Sequence, residues 1–181
     1  MAVGKRQLYS WGDLTNGKLG RKSTPEPSEV VVPSPVTPWV RKLPLLDPSK
    51  SQQQLVIPDA WLHTVKQVSV GKRHSMALTY RGSIFTWGCN ADGQLGDGSR
   101  QDSSAPVQLN LFSETGGAMN TIGIAAGANH SLCCMSLGTV FIWGRGEEMQ
   151  LGSGSDISEL LPVQIQYLKV RQFIGKWRYT F

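Results

Sequence analysis

The stretch Gly71-Lys72-Arg73-His74-Ser75, followed by Trp87-Gly88 and then by Gly93-Gln94-Leu95-Gly96, decides the fold because it occurs twice. Every landmark returns 56 residues later, in a copy that reads Gly127-Ala128-Asn129-His130-Ser131, Trp143-Gly144 and Met149-Gln150-Leu151-Gly152. Self-similarity at this spacing predicts supersecondary units that bury their apolar faces against one another.

A partial copy precedes these two, with Trp11-Gly12 and Gly17-Lys18-Leu19-Gly20 each 76 residues before their counterparts. The longer step coincides with a segment between Pro25 and Pro58 that holds eight of the ten prolines. Proline disfavours helix and removes a backbone donor, so an exposed insertion or loop is expected there. A partner-docking loop is the functional alternative, since binding often involves loops held by a rigid scaffold.

Short strand-like runs alternate with glycine turns in both full copies. Ile84-Phe85-Thr86-Trp87 and Val140-Phe141-Ile142-Trp143 are rich in β-branched and aromatic residues, and each ends at a glycine. No amphipathic helical pattern is evident. Short strands separated by turns predict an antiparallel all-β architecture.

Composition limits the classes of function. The chain has 181 residues, a formal net charge of +5 and three cysteines, two of them adjacent. An odd number of cysteines argues against a disulfide framework and predicts a cytoplasmic or nuclear protein. No apolar run is long enough for a membrane span. The basic ends of the chain leave chromatin or nucleic acid as a weakly supported partner class.

The histidines at equivalent places, His74 and His130, are the residues most easily mistaken for catalytic groups. Their recurrence beside a serine predicts a structural role, a buried imidazole bonded to nearby backbone, since a Ser-His dyad would also need an orienting acid. Cys133 and Cys134 are adjacent on a predicted strand, so their side chains point to opposite faces and do not form a metal site. No catalytic, cofactor-binding or metal-binding residue is predicted.

The spaced motifs resemble the regulator of chromosome condensation repeat, on Gly71 to Ser75, Gly82 to Gly88 and Gly93 to Gly96. In the later copy, Arg145 to Met149 replaces the usual Asn-x-x-Gly turn. The resemblance implies a β-propeller of four-stranded blades, of which this chain would form an incomplete one with about three antiparallel blades. Because an incomplete ring leaves strand edges and blade faces open, we expect this chain either to be a piece or shortened product of a longer protein or to self-associate.

The predicted organisation has five parts. They are a partial first repeat (1–20), a proline-rich insertion or loop (21–64), a second repeat (65–120), a third repeat (121–167) and the start of a degenerate fourth repeat (168–181).

The motif residues are predicted to serve as structural repeat positions. They are Trp11, Gly12, Gly71, His74, Ser75, Trp87, Gly88, Gly93, Leu95, Gly96, Gly127, His130, Ser131, Trp143, Gly144, Leu151 and Gly152. The predicted function is a non-enzymatic module that binds a protein partner. The alternative implied by the resemblance is a guanine-nucleotide exchange factor for a small GTPase.

Overall fold

The computed structural model describes residues 2–4, 7–13, 15–20, 29–35, 65–109, 111 and 120–169. Within these ranges the chain is built from strands and a single short 3-10 turn, Thr15–Gly17. The strands are β1 (Ala2–Gly4), β2 (Gln7–Asp13), β3 (Glu29–Pro35), β4 (Val65–Val70), β5 (His74–Thr79), β6 (Ile84–Gly88), β7 (Ser103–Leu109), β8 (Thr121–Ala126), β9 (His130–Met135), β10 (Thr139–Gly144) and β11 (Glu159–Lys169).

The strands form three antiparallel sheets in chain order, which we call the first, second and third blades. The first blade has the order β1-β2-β3, the second β4-β5-β6-β7 and the third β8-β9-β10-β11. The predicted all-β fold, an incomplete propeller of about three blades, is confirmed. The first blade has three described strands rather than four.

The two full blades share one register. Ser75 pairs with Trp87 between β5 and β6, and Ser131 pairs with Trp143 between β9 and β10. Because directly opposed residues project to the same face of a sheet, each serine and tryptophan pair faces in one direction.

Strand β3 falls within the segment that was expected to be a proline-rich insertion or loop. It pairs with β2 at the edge of the first blade, with Pro35 opposite Tyr9. An edge strand tolerates proline because one side of its backbone needs no ladder partner. The rest of that segment, and the predicted fourth-repeat residues 170–181, lie outside the described residues.

Two apolar clusters fill the two junctions between blades. Trp87 packs with Leu8 of the first blade and with Val65, Ala77 and Phe85 of the second. Trp143 packs in a second cluster that joins residues of the second and third blades: Met76, Leu78, Ile84, Leu109, Ile124, Cys133, Met135 and Phe141. Both indoles are fully buried, so each tryptophan joins its own blade to the preceding one.

Candidate functional site: the junctions between blades

The junction between the second and third blades is organised around one main-chain oxygen. The carbonyl of Gln94 accepts a hydrogen bond from Ser131 Oγ at 2.8 Å and another from Trp143 Nε1 at 2.9 Å. The two donors stand opposite each other on β9 and β10. The register of the third blade therefore brings both donors to a single acceptor on the second.

The junction between the first and second blades repeats this arrangement. The carbonyl of Lys18 accepts from Ser75 Oγ at 2.8 Å and from Trp87 Nε1 at 3.0 Å. We call the main-chain oxygens of Lys18 and Gln94 the junction carbonyls. Each belongs to the Gly-x-Leu-Gly motif of one blade and binds the serine and tryptophan of the next.

Glycine lets this loop approach the next blade closely. Gly96 has a φ of +74°, and a Cβ on it would lie 2.6 Å from Trp143 Nε1. Any side chain there would be strained by the backbone conformation and would collide with the indole. Leu95 beside it is fully buried.

A hydroxyl before the tryptophan ties the same loop to its own blade. Ser10 Oγ donates to the carbonyl of Leu19, and Thr86 Oγ1 donates to the carbonyl of Leu95, both at 2.8 Å. Ile142 occupies this position in the third blade, so the third loop lacks the equivalent bond.

Asn90 holds the second-blade loop in shape, a role that the sequence reasoning missed. Its Nδ2 donates to Asp97 Oδ1 at 3.0 Å and to the carbonyl of Ser99 at 2.9 Å, while its Oδ1 accepts from Leu95 N at 2.9 Å. Asn-x-x-Gly in the sequence is the signal that could have revealed it, since asparagine commonly bonds local backbone in turns.

The third-blade loop keeps its turn without these residues. Gly146 replaces Asn90, and a Cβ there would lie 2.0 Å from the carbonyl oxygen of Ile157. Met149 replaces Gly93 and adopts a φ of 56°. The left-handed turn thus persists on a residue type that disfavours it.

The first strands of the two full blades are also joined by side chains, a contact that the sequence reasoning did not identify. Gln67 on β4 donates from Nε2 to the carbonyl of Ile124 at 2.8 Å and accepts from Ile124 N at 3.2 Å. Ser69 Oγ accepts from Ala126 N at 2.9 Å. A side-chain amide thereby satisfies both backbone groups of one residue on β8.

His74 links the second blade to the third. The sequence had predicted a bond from this imidazole to nearby backbone instead. Its Nε2 lies 2.8 Å from Ser131 Oγ. Because the single hydroxyl proton of Ser131 is directed at Gln94, this hydrogen-bond network assigns the imidazole proton to Nε2. Histidine therefore donates to serine, which is opposite to the direction needed to activate a serine nucleophile.

Burial keeps this histidine neutral. Desolvation, followed by repulsion from His130, lowers the pKa of His74 to about 4. Nδ1 is buried and has no hydrogen-bond partner among the described residues. Protonation of Nδ1 is costly, because the added charge would lie in an apolar junction with no acceptor to bond it.

His130 occupies the equivalent place in the third blade and is only half-buried. Burial lowers its pKa below the ordinary value. Its ring lies beside Gly127, as the ring of His74 lies beside Gly71. Within the described ranges no following blade covers His130.

The cysteines are packing residues in this structure. Cys89, Cys133 and Cys134 are buried free thiols. Burial is the main cause that raises the pKa of Cys133 to about 12, and it also raises the pKa of Cys134. The part of the chain that the structure describes contains no group of three potential metal ligands.

The remaining predicted repeat positions lie on strands or in the loops that follow them. Gly88 ends β6 and Gly144 ends β10. A Cβ on Gly88 would contact the backbone of Arg73 and His74, and a Cβ on Gly144 would contact the backbone of Asn129 and His130. Trp11 and Gly12 lie on β2, where Gly12 pairs with Val30. Leu151 is fully buried, and a Cβ on Gly152 would have nothing within 4 Å among the described residues. Within the described residues, the motif side chains Ser75, Trp87, His74, Ser131 and Trp143 form hydrogen bonds between neighbouring blades.

Comparison with known families agrees with this architecture. The model of the Regulator of chromosome condensation (RCC1) repeat matches residues 7–78, 81–134 and 138–177. A second model of the same repeat matches residues 65–94 and 122–150. The chain belongs to the RCC1-repeat family. No helix in the described ranges is long and apolar enough to span a membrane.

Related RCC1-repeat proteins are much longer than this chain. The ultraviolet-B receptor UVR8 of Arabidopsis thaliana is 36% identical over 106 residues, which are 59% of this chain and 23% of that protein. The E3 ubiquitin-protein ligase HERC2 of Homo sapiens is 30% identical over 90% of this chain, a match to 3% of its own length. RUG3, a mitochondrial RCC1 domain-containing protein of Arabidopsis thaliana, is 28% identical over 93% of this chain and 32% of its own length.

Two solved structures are similar in fold. Human WBSCR16 superposes with a TM-score of 0.64 at 27% identity, covering 91% of this chain and 36% of that one. Prp20p of Saccharomyces cerevisiae, described together with its binding properties to Gsp1p and histones, superposes with a TM-score of 0.65 at 21% identity. That match covers 88% of this chain and 34% of Prp20p. This RCC1-repeat chain therefore spans about a third of each of these two solved chains and a smaller share of UVR8 and HERC2.

Proposed function

We propose that this chain is a non-enzymatic protein-binding module in which the repeat motifs hold the blades and exposed turns contact the partner. Support comes from the junctions, where the serine, tryptophan and histidine of the motifs are committed to contacts between blades. His74 Nε2, Ser131 Oγ and Trp143 Nε1 are bonded within the fold, so we expect a partner to be recognised by other residues.

The hairpin turns of the second and third blades are the proposed contact surface. Tyr80, in the turn between β5 and β6, is 72% exposed, and Leu137, in the turn between β9 and β10, is 77% exposed. These are the equivalent turns of neighbouring blades. Large apolar side chains held in water at adjacent turns favour a partner with an apolar surface of its own.

Quantitative affinity capture from a native extract tests this role. The Tyr80→Ser, Leu137→Ser double variant should lose the proteins that the wild-type chain enriches, and purified candidates should then show weaker binding to it. An Ile157→Ser variant removes a similarly exposed apolar residue elsewhere and serves as the control. Equal capture by all three chains would contradict the proposed surface.

Guanine-nucleotide exchange on a small GTPase is the second candidate. It is favoured by the fold shared with Prp20p and by the family resemblance. Exchange requires a surface that shifts the nucleotide site of the GTPase towards an open state. Release of a fluorescent guanine nucleotide from a panel of purified GTPases measures it, and unchanged release rates across the panel would remove this candidate.

Chromatin binding is a further proposal, supported by the basic sequence, and a nuclear or cytoplasmic location is proposed from the odd number of cysteines. The net charge is +5, and residues 1–22 carry five cationic side chains against one acidic one. Nucleosome binding measured over a salt titration would show a steep loss of affinity if these cations contact phosphates. Absence of binding at low salt would exclude this partner class.

A further inference from the structure

The two ends of the blades differ in charge. Lys66, at the start of β4, and Arg81, in the turn between β5 and β6, are exposed and form no ion pair with any described residue. Lys169 lies at the same end, because its backbone pairs with that of Thr139 at the start of β10. The charged residues at this end are therefore all cationic in the described part of the chain.

The described acidic residues are all at the opposite end of the strands. They lie where the end of β2 pairs with the start of β3, in the loop between β6 and β7, or from the loop after β10 to the start of β11. This segregation leaves the cations of the turn end without an acidic neighbour within their own fold, so their charge is available to a partner.

The turns of the two full blades form one continuous surface. A Cβ on Gly82 would collide with Asn120 Oδ1, so the turn of the second blade touches the residue that precedes β8. The carbonyl of Asn120 accepts a hydrogen bond from Ser136 N at 2.8 Å, which joins it to the turn that presents Leu137. We call the exposed residues of this region the turn surface: Lys66, Tyr80, Arg81, Asn120 and Leu137.

Hydrogen bonds fix the backbone that presents these side chains. In the second blade, Gly82 N donates to the carbonyl of Thr79 at 3.0 Å, and Ser83 N donates to Thr79 Oγ1 at 3.1 Å. In the third, Gly138 N donates to the carbonyl of Met135 at 2.9 Å. A surface that is ordered before binding loses less conformational entropy when the partner docks.

The turn surface combines apolar and cationic groups. Tyr80 is 72% exposed beside Arg81, and Leu137 is 77% exposed on the neighbouring turn. A guanidinium group forms its strongest pairs with carboxylates or phosphates. Nucleic acid is the weaker match of the two, because its closely spaced phosphates offer nothing to the exposed side chain of Leu137.

We propose that the turn surface recognises an acidic segment of a partner protein, in which aspartate or glutamate alternates with apolar residues. The carboxylates pair with Arg81 and Lys66, and the apolar side chains cover Tyr80 and Leu137. This inference rests on the proposed protein-binding function and adds the chemistry of the partner.

Fluorescence polarisation with synthetic peptides tests this chemistry on the full chain. The labelled peptides share one frame of leucine and phenylalanine, with the intervening positions acidic, neutral (glutamine and asparagine) or basic. The acidic peptide should bind most tightly, and raising the salt from about 50 to about 300 mM should weaken its binding several-fold. The Lys66→Glu, Arg81→Glu variant should bind it at least about fivefold more weakly and should bind the basic peptide more tightly than the wild type does.

The Lys72→Glu, Arg100→Glu variant is the matched control. It makes the same change of charge at two exposed cations at the opposite end of the blades, and it should bind the acidic peptide like the wild type. If the Lys66→Glu, Arg81→Glu variant loses its far-ultraviolet circular dichroism, the milder Lys66→Gln, Arg81→Gln variant takes its place.

Equal binding of the three peptides, or equal loss in the control variant, would overturn the inference. A duplex oligonucleotide that binds more tightly than the acidic peptide, and loses its binding in the Lys66→Glu, Arg81→Glu variant, would assign the surface to nucleic acid instead. Capture from extract separates the two levels of proposal. Captured proteins lost on Tyr80→Ser, Leu137→Ser but retained on charge reversal would refute the acidic segment alone, whereas retention by both variants would refute the contact surface itself.

Discussion

The hydroxyl of Ser131 accepts a hydrogen bond from His74 Nε2 at 2.8 Å while donating its own proton to the carbonyl of Gln94. Ser75 makes the same bond to the carbonyl of Lys18, but no imidazole is bonded to it among the described residues. The two junctions therefore differ by one polar group at otherwise equivalent positions.

Replacement of these serines should reveal that difference. We expect Ser75→Ala to lower the free energy of unfolding by about 1 kcal/mol, the net worth of one hydrogen bond. Ser131→Ala should cost about 2–3 kcal/mol, because it also leaves the His74 N–H buried without a partner. Urea unfolding followed by tryptophan fluorescence measures both. Equal losses would mean that the histidine bond contributes nothing to stability.

Acidification should destabilise the fold through His74. The pKa of His74 is lowered from 6.5 to about 4. Above pH 6.5 this imidazole is neutral in both the folded and the unfolded state, so the free energy of unfolding does not depend on its titration there. Between pH 6.5 and 4 the unfolded state takes up a proton that the folded state does not, and stability falls by up to about 3 kcal/mol.

The control for this titration is His74→Gln, whose amide can still donate to Ser131 but does not ionise. Urea midpoints measured from pH 7.5 to pH 4 should decline less steeply in this variant. Part of the remaining decline comes from His130, whose pKa is also lowered, so that acidification destabilises the fold through this residue as well. Parallel curves for the two proteins would assign the acid sensitivity to other groups.

The strained turn at Met149 offers a stabilising change. Met149 has a φ of 56°, and left-handed backbone costs an ordinary residue about 1–2 kcal/mol relative to the right-handed form. Glycine loses more backbone entropy on folding than methionine, and this cost offsets part of the relieved strain. Met149→Gly should therefore raise the free energy of unfolding by about 0.5–1 kcal/mol. Differential scanning calorimetry should show a higher Tm.

Leu137→Gly is the companion change, because Leu137 is similarly exposed but does not have a positive φ. It should leave the Tm unchanged or lower it. A rise of the same size in both variants would show that exposure of a large apolar side chain, and not backbone strain, is the source of the gain.

The amide of Gln67 should be important at the inner contact between blades. Gln67→Leu removes two hydrogen bonds and leaves the N–H and carbonyl of Ile124 without their side-chain partner, so a loss of about 2–3 kcal/mol is expected. Lys66→Met alters the neighbouring residue on the same strand, whose Nζ makes only an exposed 3.5 Å contact with Ile122. It should change the unfolding free energy by less than about 0.5 kcal/mol.

Sequence spacing predicted the blades well because short-range chemistry fixes them. Gly96 ends a turn and Gly88 ends a strand because each position requires a backbone conformation that glycine adopts easily. Trp87 and Trp143 are large apolar side chains that have to be buried in an all-β unit. The partners of polar groups were harder to foresee. His74 bonds to Ser131 and Gln67 to Ile124, each 57 residues away, and such contacts depend on how one blade is placed on the next.

The proline-rich segment shows the opposite kind of limit. Its composition indicates extended or irregular backbone, yet it cannot distinguish a free loop from an edge strand, since both leave backbone donors unused. Strand β3 depends on pairing with β2, and that pairing is set by the blade as a whole.

Both junction carbonyls belong to the main chain, and this has an evolutionary consequence. A lysine and a glutamine already perform the task equally well, because the peptide oxygen is the same whichever side chain is attached. A substitution here that preserves the loop backbone therefore also preserves the acceptor that joins neighbouring units. The outer surface of such an assembly is consequently free to diversify towards new targets while its framework stays constant.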